Sequence, residues 1–237
     1  FNRPENLSLP SLWPLPWPRP SAPQIGEIRW HSSCGERTDS NVYECGTLYT
    51  PLDYTNSTDP RLAEIAIVRY KAGAGKTNRE DVLGSLIMNP GGPGESGHVQ
   101  IMERSSKTDE VLEGKYDLVS FDTRGVGYTW PKVQCFDNAT QYQFHKNVVG
   151  AYGYPGQHGP DVQEHELGYL IATHQLLSDK CRTHPDSELF EYMSTMFIIR
   201  DMKLLHEALG DEKLNYWGFS YGTVIGATYA ATFPDDI

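Results

Sequence analysis

Ser220 stands in the pentad Gly218-Phe219-Ser220-Tyr221-Gly222, a G-x-S-x-G pattern. That spacing suits a sharp turn from a strand into a helix, which lifts a serine Oγ clear of a sheet so that it can attack a carbonyl carbon. Gly218 and Gly222 would spare such a turn the clashes that side chains cause there. The chemistry is acyl transfer: the serine forms a covalent intermediate, a base takes its proton, and backbone N–H groups hold the oxyanion. One donor is expected from the residue after the nucleophile, Tyr221. A second is expected from Gly91 or Gly92, in the loop Asn89-Pro90-Gly91-Gly92-Pro93-Gly94-Glu95-Ser96-Gly97, because glycines let a backbone approach a substrate closely. A phosphate-cradling role for this loop is disfavoured, since Pro90 and Pro93 remove two N–H donors.

The elements that must position these groups can be read from the apolar pattern. Short apolar runs over 84–88, 116–121 and 214–219 each pass into a loop rich in glycine, as buried strands do when they lead to functional loops. Strands of this kind alternating with helices predict a parallel α/β sheet. Ahead of them, 41–54 and 61–71 alternate β-branched or aromatic residues with polar ones and predict an antiparallel hairpin. Helices are expected over 162–181, 193–209 and 221–233. In the second, Met196, Ile199, Met202, Leu205 and Leu209 make one apolar face that Gly210 ends. In the third, Gly226, Ala227, Ala230 and Ala231 are small enough to let the helix lie close to the strands, and Pro234 stops it. Residues 131–161 read as a long polar excursion. Ala72-Gly73-Ala74-Gly75-Lys76-Thr77 ends like a phosphate loop but has Tyr70 where that motif needs glycine, so it reads as a flexible surface turn.

Taken together, Asn89-Pro90-Gly91-Gly92-Pro93-Gly94, Asp122-Thr123-Arg124-Gly125-Val126-Gly127 and Gly218-Phe219-Ser220-Tyr221-Gly222-Thr223 resemble the α/β-hydrolase exopeptidases of the prolyl and tripeptidyl aminopeptidase type. The resemblance spans about residues 40–237. It implies an α/β-hydrolase fold with a mostly parallel sheet, flanking helices and the N-terminal hairpin. It implies a Ser-Asp-His triad that cleaves short units or proline from free peptide N-termini. His165-Glu166 lacks the second histidine of a zinc-protease helix, so no metal is expected, and no cofactor is expected. By the same likeness Asp122 and Arg124 brace loops near the site rather than doing chemistry.

In folds built on this elbow the acid and base follow the serine, whereas His31, His98, His145, His158, His165, His174, His184 and His206 all precede it. Only His98, just past the glycine loop, is placed near the site. Asp201, Asp235 and Asp236 read as solvated charges or helix-terminal partners. The expectation is therefore an incomplete fold, 30–237, which needs a companion chain or further polypeptide to supply the triad Asp and His. An esterase or lactonase of the same fold is the neighbouring alternative. A non-catalytic binding protein that keeps the elbow is the alternative from another class.

Composition bounds the rest. The 237 residues are 38% hydrophobic, carry a formal net charge of -11 and lack any apolar run long enough for a spanning helix, which argues against nucleic-acid and membrane partners. The sequence begins at Phe1 with no basic-then-apolar leader, so any targeting segment is expected to have been removed or to lie outside it. Residues 1–29, rich in proline, read as an extended arm that Trp13 and Trp17 pin to the body. Cys34, Cys45, Cys135 and Cys181 lack zinc-site spacing, and the pairs Cys34 with Cys45 and Cys135 with Cys181 each close a modest loop. Sequons at Asn6, Asn56 and Asn138, joined to those disulfides, predict a secreted glycoprotein.

Overall fold

A computed structural model describes residues 22–31, 33–34, 39–151 and 163–237. Six strands form one sheet: β1 (Ile28–Trp30), β2 (Tyr43–Pro51), β3 (Leu62–Tyr70), β4 (Ser85–Asn89), β5 (Asp117–Phe121) and β6 (Asn215–Gly218). Their order across the sheet is β1-β2-β3-β5-β4-β6. The hairpin forms as its alternation predicts, with Tyr43 opposite Tyr70 and Pro51 opposite Leu62.

The expected mostly parallel sheet is not what forms. β4 pairs in parallel with β5 and β6, but β1 with β2, β2 with β3 and β3 with β5 are all antiparallel. The sheet is mixed. Only β4, β5 and β6 are separated by helical crossovers, which parallel neighbours require, whereas β2 and β3 are joined by residues 52–61, a connection without a helix that reverses the chain. β1 lies where the N-terminal arm was expected to end, and its pairing with Gly46–Leu48 brings that stretch into the sheet.

The period-2 alternation sends side chains to two cores. Ile65, Ile67, Ile87, Val119 and Phe121 face one side, where they meet helices α4 (Thr195–Leu209) and α5 (Tyr221–Thr232). Val68, Tyr70, Met88 and Leu118 face the other, where Ile101 of α1 (Gly97–Val111) packs. In α4 the buried face comprises Phe197, Ile198, Ile199, Met202 and Leu205, while Met196 is exposed, so the stripe is rotated by part of a turn from the expected one. Each such fully buried side chain contributes about 1.5–3 kcal/mol. Gly210 ends α4 in the left-handed region, as its position predicts.

Two helices escape the sequence pattern. α1 buries Gly97, Gln100, Ser105 and Asp109 beside Ile101, a mostly polar and small face with no apolar period to read. α2 (Ala139–Ala151) forms inside the polar excursion. Cys135 joins Cys181 on α3 (Gln163–Thr183), and Cys34 joins Cys45 on β2, the two pairings expected. The turn at 72–77 is anchored rather than flexible. Ala72 N–H donates to Asp117 Oδ1 at 2.9 Å, Gly73 N–H to Asp109 Oδ1 at 3.0 Å, and Thr77 Oγ1 to Gly114 O at 2.8 Å. The stretch holding Trp13, Trp17 and Asn6 lies outside the described residues.

Candidate active site

β4 has β5 on one side and β6 on the other, so the chain leaves the carboxyl ends of β4 and β6 at a point where the strand order reverses. Loops diverging from such a point open a crevice in which ligands bind. The loop after β4 holds Gly91 and Gly92, and the turn after β6 holds Ser220.

Ser220 sits at φ 48°, ψ -122°, a conformation rare for a residue with a side chain, and its side chain is exposed at the start of α5. Such backbone strain costs about 1–3 kcal/mol and persists only where the surroundings enforce it. Four contacts do so. Phe219 N–H donates to Asn89 O at 3.0 Å, and Gly222 N–H donates to Phe219 O at 2.6 Å. Tyr216 Oη donates to Gly222 O at 2.8 Å, and Tyr221 Oη shares a 2.7 Å hydrogen bond with Thr195 Oγ1. The flanking glycines are required by contact distance: a Cβ on Gly218 would lie 2.4 Å from Gly222 O, and one on Gly222 would lie 2.8 Å from Asn89 O.

The glycine loop meets this turn directly, since a Cβ on Gly91 would come within 2.3 Å of Phe219 O and 2.9 Å of Ser220 Cβ. The two glycines differ in what their amides do. Gly91 N–H is taken by Asn89 Oδ1 at 2.9 Å. Gly92 N–H and Tyr221 N–H have no acceptor among the described residues. Pro90, Gly92, Glu95, Gln100, Phe219 and Ser220 line a cleft of about 450 Å³.

The Asp122 loop fastens the far side. Buried Asp122 accepts at Oδ1 from Ser96 Oγ (2.7 Å) and His98 N–H (3.1 Å), and at Oδ2 from Tyr128 N–H (2.7 Å). It thereby ties the start of α1 to the loop after β5. Arg124 makes a paired contact with Asp201, Nε to Oδ2 at 2.8 Å and Nη2 to Oδ1 at 2.9 Å, both side chains being fully buried. It also donates to Leu52 O and Pro51 O, each at 2.6 Å. Asp201 is thus no solvated charge, as expected from sequence, but the counter-ion of Arg124, and it also accepts from Tyr54 Oη at 2.8 Å.

His98 lies beside Asp122 but lines a different cavity, of about 280 Å³, with Cys34, Cys45 and Tyr128. Its Nε2 is 3.8 Å from Cys45 Sγ, and burial pushes its pKa below the ordinary histidine value. His206 is buried in α4, and His158 lies outside the described residues. Asp236 accepts from Lys203 Nζ at 2.9 Å and Tyr229 Oη at 2.8 Å, and the Lys203 hydrogen bond holds its carboxyl below the usual range. Asp235 is exposed. Among the described residues no cluster of three or more His, Cys, Asp or Glu is arranged to hold a metal ion, and no helix is long and apolar enough to cross a membrane. Asn56 and Asn138 are exposed. Thr58 Oγ1, of the same sequon, donates to Asn56 Oδ1 at 2.7 Å.

Sequence reasoning passed over Asn89, Tyr216 and Thr195, whose side chains hold the loop and the turn. A signal existed for Asn89 alone, because Asn before Pro-Gly is a residue type that bonds its own backbone two positions on.

A family model described as alpha/beta hydrolase fold matches residues 84–237. Serine protease Hip1 of Mycobacterium tuberculosis is 32% identical over 193 residues, covering 81% of this chain and 34% of that protein. Tripeptidyl aminopeptidase of Streptomyces lividans is 30% identical over 213 residues, covering 89% of this chain and 36% of that protein. Carboxylesterase B of M. tuberculosis is 28% identical over 195 residues, covering 80% and 34%. The chain therefore spans about a third of the length of these relatives.

Proposed function

Because this chain belongs to the alpha/beta hydrolase fold family, we propose that it carries the nucleophile and oxyanion side of a serine exopeptidase. The enzyme releases short units or proline from free peptide N-termini. One observation carries the reading: Ser220, held in a strained turn, lines a cleft with Gly92, and the N–H groups of Gly92 and of Tyr221, the residue after the serine, have no acceptor among the described residues.

In this reading Ser220 Oγ attacks the scissile carbonyl while a histidine takes its proton. The oxyanion rests on Tyr221 N–H and Gly92 N–H, and removing one such donor costs about 2.7–4 kcal/mol of barrier stabilisation. The amine leaves with the proton, and water then releases the acyl group from Ser220. The triad Asp and His come from polypeptide beyond this sequence. That assignment is supported by the relatives, of which this chain covers 34% and 36%, and by the order of residues in this fold, where both follow the serine. Exposed Asn56 and Asn138 and the two disulfides support a secreted, glycosylated protein.

The relative called a carboxylesterase supports ester cleavage as a second reading. Turnover by the full-length protein on peptide amides, N-acetylated peptide amides and esters with a matched acyl group decides between them. Exopeptidase action predicts hydrolysis of the free-amine amide and loss of turnover on acetylation. Ester turnover with no amide turnover would select the esterase.

A further inference from the structure

We propose that Asn89 is the residue that positions the oxyanion loop, selecting Gly92 rather than Gly91 as its donor. The proposal rests on the serine-hydrolase reading of Ser220. Asn89 is the last residue of β4, is 2% exposed, and holds both halves of the crevice at once. Its side-chain Oδ1 accepts the Gly91 N–H at 2.9 Å, and its backbone O accepts the Phe219 N–H at 3.0 Å.

The side-chain bond consumes the amide that points back into the protein. The next amide, Gly92 N–H, is left without an acceptor at the cleft that Ser220 lines. The backbone bond fixes the residue before the nucleophile to the same anchor, so the loop donor and the Ser220 Oγ are referenced to one residue rather than to two independently moving loops. Without Oδ1, Gly91 N–H would compete for the oxyanion position and the loop would lose its register. Donors catalyse only if they are fixed where charge develops before the reaction begins. Asn89 touches neither substrate nor reacting atoms, and its role is positional.

The test is steady-state kinetics of Asn89→Ala and Asn89→Asp in the full-length protein, beside the affinity of a peptidyl boronate that mimics the tetrahedral intermediate. Asn89→Ala should lower kcat by about 10- to 100-fold with KM within about twofold, and weaken the boronate by the same factor. Asn89→Asp keeps an acceptor of the same shape and should recover kcat to within about fivefold of the parent. It also carries the test if the alanine variant does not fold. A folded Asn89→Ala enzyme with unchanged kcat overturns the proposal. So does an equal loss of kcat in both variants, or a loss confined to KM. Failure of the underlying reading is separate: the parent protein would then neither bind the boronate nor turn over any acyl substrate.

Discussion

Gly91→Ala offers a graded test of how closely the oxyanion loop must approach the nucleophile. Gly91 adopts φ 94°, and a Cβ there would lie 2.3 Å from Phe219 O and 2.9 Å from Ser220 Cβ, neither of which is a flexible side-chain end. Since real Cβ atoms essentially never come nearer than 3.0 Å to another group, the loop and the nucleophile turn must separate by at least 0.7 Å. Displacements of about 1 Å between catalytic groups lower rates by roughly a hundredfold. Gly94 supplies the control: its φ is 103°, but no atom lies within 4 Å of a Cβ placed there. Both substitutions carry the conformational cost of a left-handed residue, about 1–2 kcal/mol, and only Gly91→Ala carries the displacement. Measured on the full-length protein with a saturating substrate, kcat should fall about a hundredfold for Gly91→Ala and stay within about threefold of the parent for Gly94→Ala. Equal kcat values for the two folded variants would refute the close-approach reasoning.

Two further outcomes follow from groups away from the cleft. Asp201→Ala strands the Arg124 guanidinium in a fully buried site, so the urea midpoint should fall by an amount equivalent to about 3–5 kcal/mol; a loss under about 1 kcal/mol would show that the pair is not desolvated. His98 has a folded-state pKa depressed by burial, opposed by the charge of Asp122, so the unfolded chain takes up a proton at a pH where the folded one stays neutral. Its contribution to stability is complete above the unfolded value near 6.5 and is lost as pH falls through the lower folded value. His98→Phe should therefore flatten the stability profile below about pH 6.5, and an unchanged profile would exclude this titration.

The sequence was most legible where one physical constraint dominated. Apolar runs ending in glycine-rich loops located β4, β5 and β6, and strict alternation located the β2–β3 hairpin. Gly210 stopped α4, and loop size paired the cysteines correctly. What was hidden depends on partners distant in the chain. α1 packs through Gly97, whose Cβ would lie 2.2 Å from Ser120 Oγ, and through polar residues, so its helical period carries no apolar mark. The mixed sheet follows from β3 joining β5, a pairing between elements nearly fifty residues apart that no local pattern records. Asp201 looked like a surface charge because its counter-ion, Arg124, is 77 positions away in sequence. At the site, the residue types of the turn and loop were readable. Which glycine amide remains free was not, because that depends on where the Asn89 side chain points.

The central claim is that Ser220 is an activated nucleophile, and the most direct measurement is covalent labelling of the full-length protein by a fluorophosphonate, mapped by peptide mass spectrometry. A single phosphonylated residue, Ser220, is expected, with labelling abolished in Ser220→Ala. An unlabelled Ser220 in folded protein, beside a reference serine hydrolase labelled in the same tube, would contradict it.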